Sequence, residues 1–219
     1  MPRLLFEKTG NAIWISHLDL MRVFQRAFKR AGLPLTHTKG FNPRPSVSIA
    51  LPLSLGIESR CELLDFDLEG DPVPMEEIRE KLNDALIRGV HVREVYGDGR
   101  KIRHLALLAC TLTLEYDGGI PEGAAASIGE LLGREEVCVE KKSKSKGLIQ
   151  QNIIPMIRSF RLEEQGSELC IHARICCQEP ALNPMQIPAA IEKYLPELKP
   201  DFVRCSREEI YDHEENIFR

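Results

Sequence analysis

Short alternations of apolar and polar residues, separated by Gly, Asn and Pro clusters, are interleaved along the chain with stretches of helical period, so strands and helices are both expected. Arg3 to Lys8 reads as a strand closed by the Thr9-Gly10-Asn11 turn, and Ile13 to Ile15 leads into a well-marked helix. Ser16 is its natural N-cap. Asp19, at the third helical position, makes a carboxylate variant of the capping box, and Ile15 and Leu20 are spaced as a hydrophobic staple. Gly32 and Pro34 end the helix. With about 100° between residues, Leu20, Met21, Phe24, Ala27, Phe28 and Ala31 share one side, and Arg22, Arg26, Lys29 and Arg30 the other. The helix thus offers an apolar face to a sheet and a basic face to solvent or an anion.

Beyond it, Leu35 to Thr38 is extended, Lys39 to Pro45 is a Gly/Asn/Pro loop, and Ser46 to Leu53 and Cys61 to Leu68 read as strands. Pro74 to Ile87 is an amphipathic helix with Pro at its start and Gly89 past its end, followed by a strand from Val90 to Val95. The order to this point is β-α-β-β-α-β. The second half repeats it loosely, with a strand from Leu108 to Tyr116, a helix from Pro121 to Leu132 and an extra short strand from Val137 to Glu140. Ile153 to Leu162 and Leu169 to Cys177 then form a hairpin, Asn183 to Tyr194 a helix and Phe202 to Cys205 a last strand. The expected class is α+β: two ferredoxin-like domains, each an antiparallel sheet with helices on one face. Residues 1–98 form the first and 105–210 the second, with the Gly97 and Gly99 region as linker and 211–219 as a C-terminal tail.

A hydrophobic share of 43% and a charged share of 28% over 219 residues argue against a disordered, collagen-like or coiled-coil chain. The formal net charge of −4 conceals a division. Residues 1–50 hold eight basic and two acidic side chains, a balance of +6, whereas residues 51–100 hold six basic and twelve acidic, a balance of −6. The N-terminal residues lack an apolar signal core after Arg3, and no stretch offers the run of about 18 apolar residues that a membrane span needs, so a cytoplasmic protein with no membrane partner is expected. Seven scattered cysteines, mostly in apolar runs, read as reduced thiols, and no C-x-x-C pair is present for a zinc ribbon or a radical SAM cluster.

Candidate chemistry gathers in the first domain. His17, at the first helical position, sits where the positive helix end favours a neutral ring, suited to a general base, a ligand or a structural hydrogen bond. Asp19 either supports the cap or joins His17 in catalysis. The stripe of Arg22, Arg26, Lys29 and Arg30 lacks the alternating acids of an ordinary surface helix and suits an anion or a nucleic acid. In Gly40-Phe41-Asn42-Pro43-Arg44-Pro45, two prolines stiffen a loop that leaves a stacking ring, an amide and a guanidinium for an unpaired nucleotide, with Lys39 beside it. The alternative is a rigid turn whose Phe41 fills the core and whose Asn42 bonds its own backbone. Lys141, Lys142, Lys144 and Lys146 form a second basic segment between two strands, extended by Arg158 and Arg161 if these face outward.

Ser16-His17-Leu18-Asp19-Leu20 with Arg22, Arg26-Ala27 with Lys29-Arg30-Ala31-Gly32-Leu33-Pro34, and Gly40 to Pro45 stand in one ordered stretch with Ser48, Ala50, Pro52, Gly56, Ser59 and Glu62. This pattern resembles the radical SAM-linked protein family, a bacterial domain of unknown function. Members of that family occur beside, or fused behind, cobalamin-binding radical SAM proteins, often near ribonuclease and ribosomal-protein genes. The resemblance implies an accessory, non-catalytic subunit that binds RNA or another substrate for a separate radical SAM enzyme. That partner, and not this chain, would carry the iron-sulfur cluster, S-adenosylmethionine and cobalamin. Two other readings stay open at this point: a metal-free ribonuclease or transferase using His17 with Lys39 or Arg44, and a protein-only docking module.

Overall fold

The computed structural model describes residues 1–143 and 147–219. The chain divides into two units, Met1–His104 with Ile217–Arg219, and Leu105–Asn216. Both are mixed α+β.

In the first unit, the elements are β1 (Arg3–Lys8), α1 (His17–Arg30), β2 (Val47–Ile49), β3 (Ile57–Phe66), α2 (Met75–Ala85) and β4 (Val90–Tyr96). The strands pair antiparallel in the order β4-β1-β3-β2. Helical period and strand alternation bring their apolar sides together: Leu20, Phe24, Ala27 and Phe28 of α1 and Ile78 and Leu82 of α2 pack with Leu4, Phe6, Leu64, Phe66 and Val92. The Phe6 and Phe24 rings meet edge to face at 4.7 Å. Each fully buried Phe or Leu here contributes about 1.5–3 kcal/mol.

Two boundaries differ from the sequence reading. The strand expected over 46–53 shrinks to Val47–Ile49, because Pro45 and Pro52 frame it and proline has no N–H for a ladder. Conversely, β3 starts at Ile57 instead of Cys61. Ser59 and Glu62 interrupt the apolar alternation in sequence, yet both are buried, and the Ser59 hydroxyl donates to Glu62 Oε1 at 2.6 Å.

The second unit holds β5 (Leu105–Glu115), α3 (Ala124–Leu132), β6 (Cys138–Ser143), β7 (Gly147–Asn152), β8 (Ile157–Gln165), β9 (Glu168–Cys176), α4 (Gln186–Tyr194) and β10 (Phe202–Asp212). Its main strands run antiparallel in the order β10-β5-β9-β8, while β6 and β7 form a separate two-stranded sheet inserted between α3 and β8. Leaving that insertion aside, fourth-first-third-second is the strand order of both units.

β10 continues well past the expected end at Cys205. A bulge between Arg207 and Glu209 shifts its register, so the buried positions are Cys205 and Arg207 before it and Ile210 and Asp212 after it. A period-2 search cannot follow such a shift. The segment 211–219 is not a tail either. Tyr211 and Asp212 finish β10, and Ile217–Arg219 belong to the first unit, where Phe218 is fully buried between the guanidinium groups of Arg3 at 5.6 Å and Arg100 at 5.3 Å.

Candidate nucleic-acid interface

The local sequence of α1 explains its placement. Ser16 is extended, and its Oγ accepts from the Asp19 N–H at 3.1 Å while its hydroxyl donates to Asp19 Oδ2 at 2.7 Å. Arg22 Nη1 donates to Asp19 Oδ1 at 2.8 Å. These contacts, the Ser16 bond foremost and Arg22 next, hold the Asp19 carboxyl below its usual range. At the other end, the Gly32 N–H reaches Lys29 O and the Leu33 N–H reaches Phe28 O, a Schellman closure for which Gly32 takes a φ of +67°.

The basic stripe is thereby sorted. Arg22 is paired with Asp19, and Arg30 donates to the carbonyl of Ala85 at the end of α2, which makes it a tie between helices. Arg26 and Lys29 remain exposed on the same side. His17 is partly buried at the start of α1, and among the described residues its ring makes no hydrogen bond. It stands twelve residues from Lys29, about 18 Å along the helix axis at 1.5 Å per residue.

After Gly32 the chain turns back as a hairpin. Leu35 bridges Leu68 and His37 bridges Pro45, while the Thr38 N–H donates to Arg44 O at 2.8 Å and the Arg44 N–H to Thr38 Oγ1 at 3.0 Å. Thr36 anchors the base through its hydroxyl, which donates to Asp67 Oδ2 at 2.9 Å. Lys39, Gly40, Phe41, Asn42 and Arg44 at the tip are all exposed, and Gly40 has a φ of +142°, a backbone that favours glycine. Phe41 has a relative exposure of 106%. A core-filling Phe41 is therefore ruled out.

Beneath the hairpin lies a cleft of about 580 Å³. Phe28, Leu33, Leu35 and Pro45 give it apolar walls, and Gln25, Lys29, His37 and Glu69 give it polar groups. Lys29 thus belongs both to the helix stripe and to the cleft. In the sequence Gln25 and Glu69 carry no signal of their own, and His37 is an isolated histidine that gives no site alone. The i, i+4 spacing of Gln25 and Lys29 was a usable signal, but their meeting with His37 and Glu69 depends on long-range pairing.

The second basic segment is less coherent. Lys141 Nζ donates to the Ala181 carbonyl at 3.4 Å, and Lys144 and Lys146 lie outside the described residues, as does the side chain of Lys142. Arg158 and Arg161 do face outward, but each is engaged by a carboxylate, Glu215 and Glu163 respectively, both at 3.2 Å. Among the described residues, no group of three or more His, Cys, Asp or Glu is placed to hold a metal ion, and no helix is long and apolar enough to cross a membrane.

Fold and surface together define an α+β protein with a basic hairpin and an apolar cleft on its N-terminal unit. Residues 2–184 match the family described as "Uncharacterized protein conserved in bacteria (DUF2344)", and the chain belongs to that family. No curated protein matches the sequence. A chain in the crystal structure of a Cbf5-Nop10-Gar1 complex is 10% identical with a TM-score of 0.52; the match covers 95% of this chain and 48% of that one, so this chain spans about half its length. A chain of the archaeal box H/ACA sRNP Nop10-Cbf5 complex is 8% identical with a TM-score of 0.43, covering 94% of this chain and 46% of that one. An unknown protein from Galdieria sulphuraria is 10% identical with a TM-score of 0.27, covering 94% and 96%. The first of these shows a likeness of fold.

Proposed function

We propose that the chain is an accessory subunit of two ferredoxin-like domains that binds RNA or a related substrate for a separate radical SAM enzyme. The observation that carries the binding half is Phe41, wholly exposed at the tip of a backbone-pinned hairpin and flanked by Lys39 and Arg44. A bare aromatic ring in water is unfavourable unless a partner covers it. An unpaired base is a suitable cover, with the neighbouring cations meeting its phosphates. Arg26 and Lys29 extend the positive surface along α1.

The fourth-first-third-second strand order in both units supports the domain reading. The radical SAM partnership rests on the motif pattern from Ser16 to Glu62, and the cluster, S-adenosylmethionine and cobalamin would sit on that partner. The fold likeness to a chain from a multi-subunit complex accords with a subunit role. A reading in which His17 acts with Lys39 or Arg44 draws no support from the geometry, since α1 carries His17 away from the Lys29 end where the hairpin base lies.

The test is binding of short single-stranded RNA to the full chain by fluorescence anisotropy. Phe41→Ala is expected to weaken binding about tenfold or more through lost stacking. Arg44→Ala should weaken it and reduce the salt slope by about 1. His17→Ala should leave affinity intact. Unchanged affinity in both loop variants would sink the interface proposed here.

A further inference from the structure

We infer that the cleft beside the hairpin receives an unpaired guanine, an inference that rests on the RNA-binding reading above and names what that site selects. The cleft, at about 580 Å³, falls within the ~300–1,000 Å³ typical of small-ligand sites. Exposed Pro34 and half-buried Pro45 give it accessible apolar surface over buried Phe28, Leu33 and Leu35, and suit the face of a planar ring. The polar groups of the lining decide which ring.

Glu69 is one of them. Its backbone is fixed, because its N–H donates to Pro34 O at 2.8 Å and its neighbour Leu68 bridges Leu35. Its side chain is 58% exposed, and the His37 Nδ1 lies 3.8 Å from its Oε1, outside hydrogen-bond range. The carboxylate is thus accessible to a ligand. Gln25 and Lys29, one helical turn apart, also line the cleft.

A carboxylate accepts hydrogen bonds and cannot donate, so it selects an edge with two adjacent donors. Guanine has that edge in its N1–H and N2–H groups. Adenine and cytosine each place a ring acceptor beside their amino donor, and uracil places carbonyl oxygens beside its single N–H. Negative charge on Glu69 also keeps a phosphate away from this end. Lys29 supplies a cation for the phosphate, and the Gln25 amide offers a donor for the guanine O6.

The experiment measures guanosine and adenosine 5′-monophosphate binding to the full chain by calorimetry, beside single-stranded RNA binding by anisotropy. The guanosine nucleotide is expected to bind about tenfold tighter than the adenosine nucleotide. Glu69→Gln, which replaces one acceptor oxygen by a donor on an exposed side chain, should abolish that difference by weakening the guanosine nucleotide alone. Phe41→Ala should weaken RNA and leave both mononucleotides unchanged. Equal binding of the two nucleotides, or a preference that survives Glu69→Gln, overturns the guanine site while the RNA arm judges the hairpin independently. Selective nucleotide binding without any RNA binding upholds the cleft and removes the RNA reading.

Discussion

Ser16 holds the start of α1 through both its lone pairs and its proton, accepting from the Asp19 amide and donating to the Asp19 carboxylate. Loss of such a cap costs about 1 kcal/mol, so Ser16→Ala should lower stability to urea by about that amount. Asp19 adds a pH dependence. Its carboxyl is held below the ordinary value by Ser16 and Arg22, so its contribution is complete above the unfolded-state value and is lost as pH falls through the folded-state value. Wild type and Asp19→Asn should therefore differ in melting temperature near neutrality and converge in acid. This cap was legible in the sequence because all its partners lie within six residues. Phe41 was legible as a residue type but not in its direction, since a Gly-Pro loop can turn its ring inward or outward and only the hairpin pairing decides.

At the scale of elements, β1 and β3 are joined beneath the turn that leads into α1. Lys8, 1% exposed, donates through Nζ to the carbonyls of Ile13 at 3.1 Å and Ile15 at 2.9 Å, with buried Glu62 as its counter-charge. Burial pulls its pKa below the usual lysine value, and Glu62 opposes that pull. Lys8→Met removes the charge and leaves Glu62 and two carbonyls without it, so stability should fall by about 3 kcal/mol in chemical denaturation. Nothing in the sequence marks Lys8 as buried, because a lysine at a strand end ordinarily faces water. The same limit applies to Arg30 and Lys141. Both read as members of basic patches, and both turn out to donate to backbone carbonyls distant in sequence.

Across the whole molecule, the chain ends in the unit in which it begins. Phe218 is enclosed with Arg3 and Arg100, and Arg3 also forms a two-point pair with Asp65 at 2.5 and 3.1 Å. Phe218→Ala should cost about 3 kcal/mol and raise hydrogen exchange in β1, detectable by mass spectrometry. The net charge of −4 belongs to the same scale. It averages a basic helix stripe and hairpin with acidic residues elsewhere, so an anionic ligand is attracted locally although the total is negative.

By itself the sequence determined the order of helices and strands apart from β7, which pairs with β6 where a lone short strand was expected, and also the cap and closure of α1, its basic side and the chemistry of the Gly40–Pro45 loop. All of these depend on residues close together along the chain, where spacing stands in for geometry. The tertiary structure alone decided the rest. The cleft exists because the Leu35–Leu68 bridge, the Thr36–Asp67 bond and the Glu69–Pro34 bond draw together segments some thirty residues apart. Which cations remain available was likewise settled in part by distant groups, the Ala85 and Ala181 carbonyls and the Glu215 carboxylate, whose approach no local period encodes.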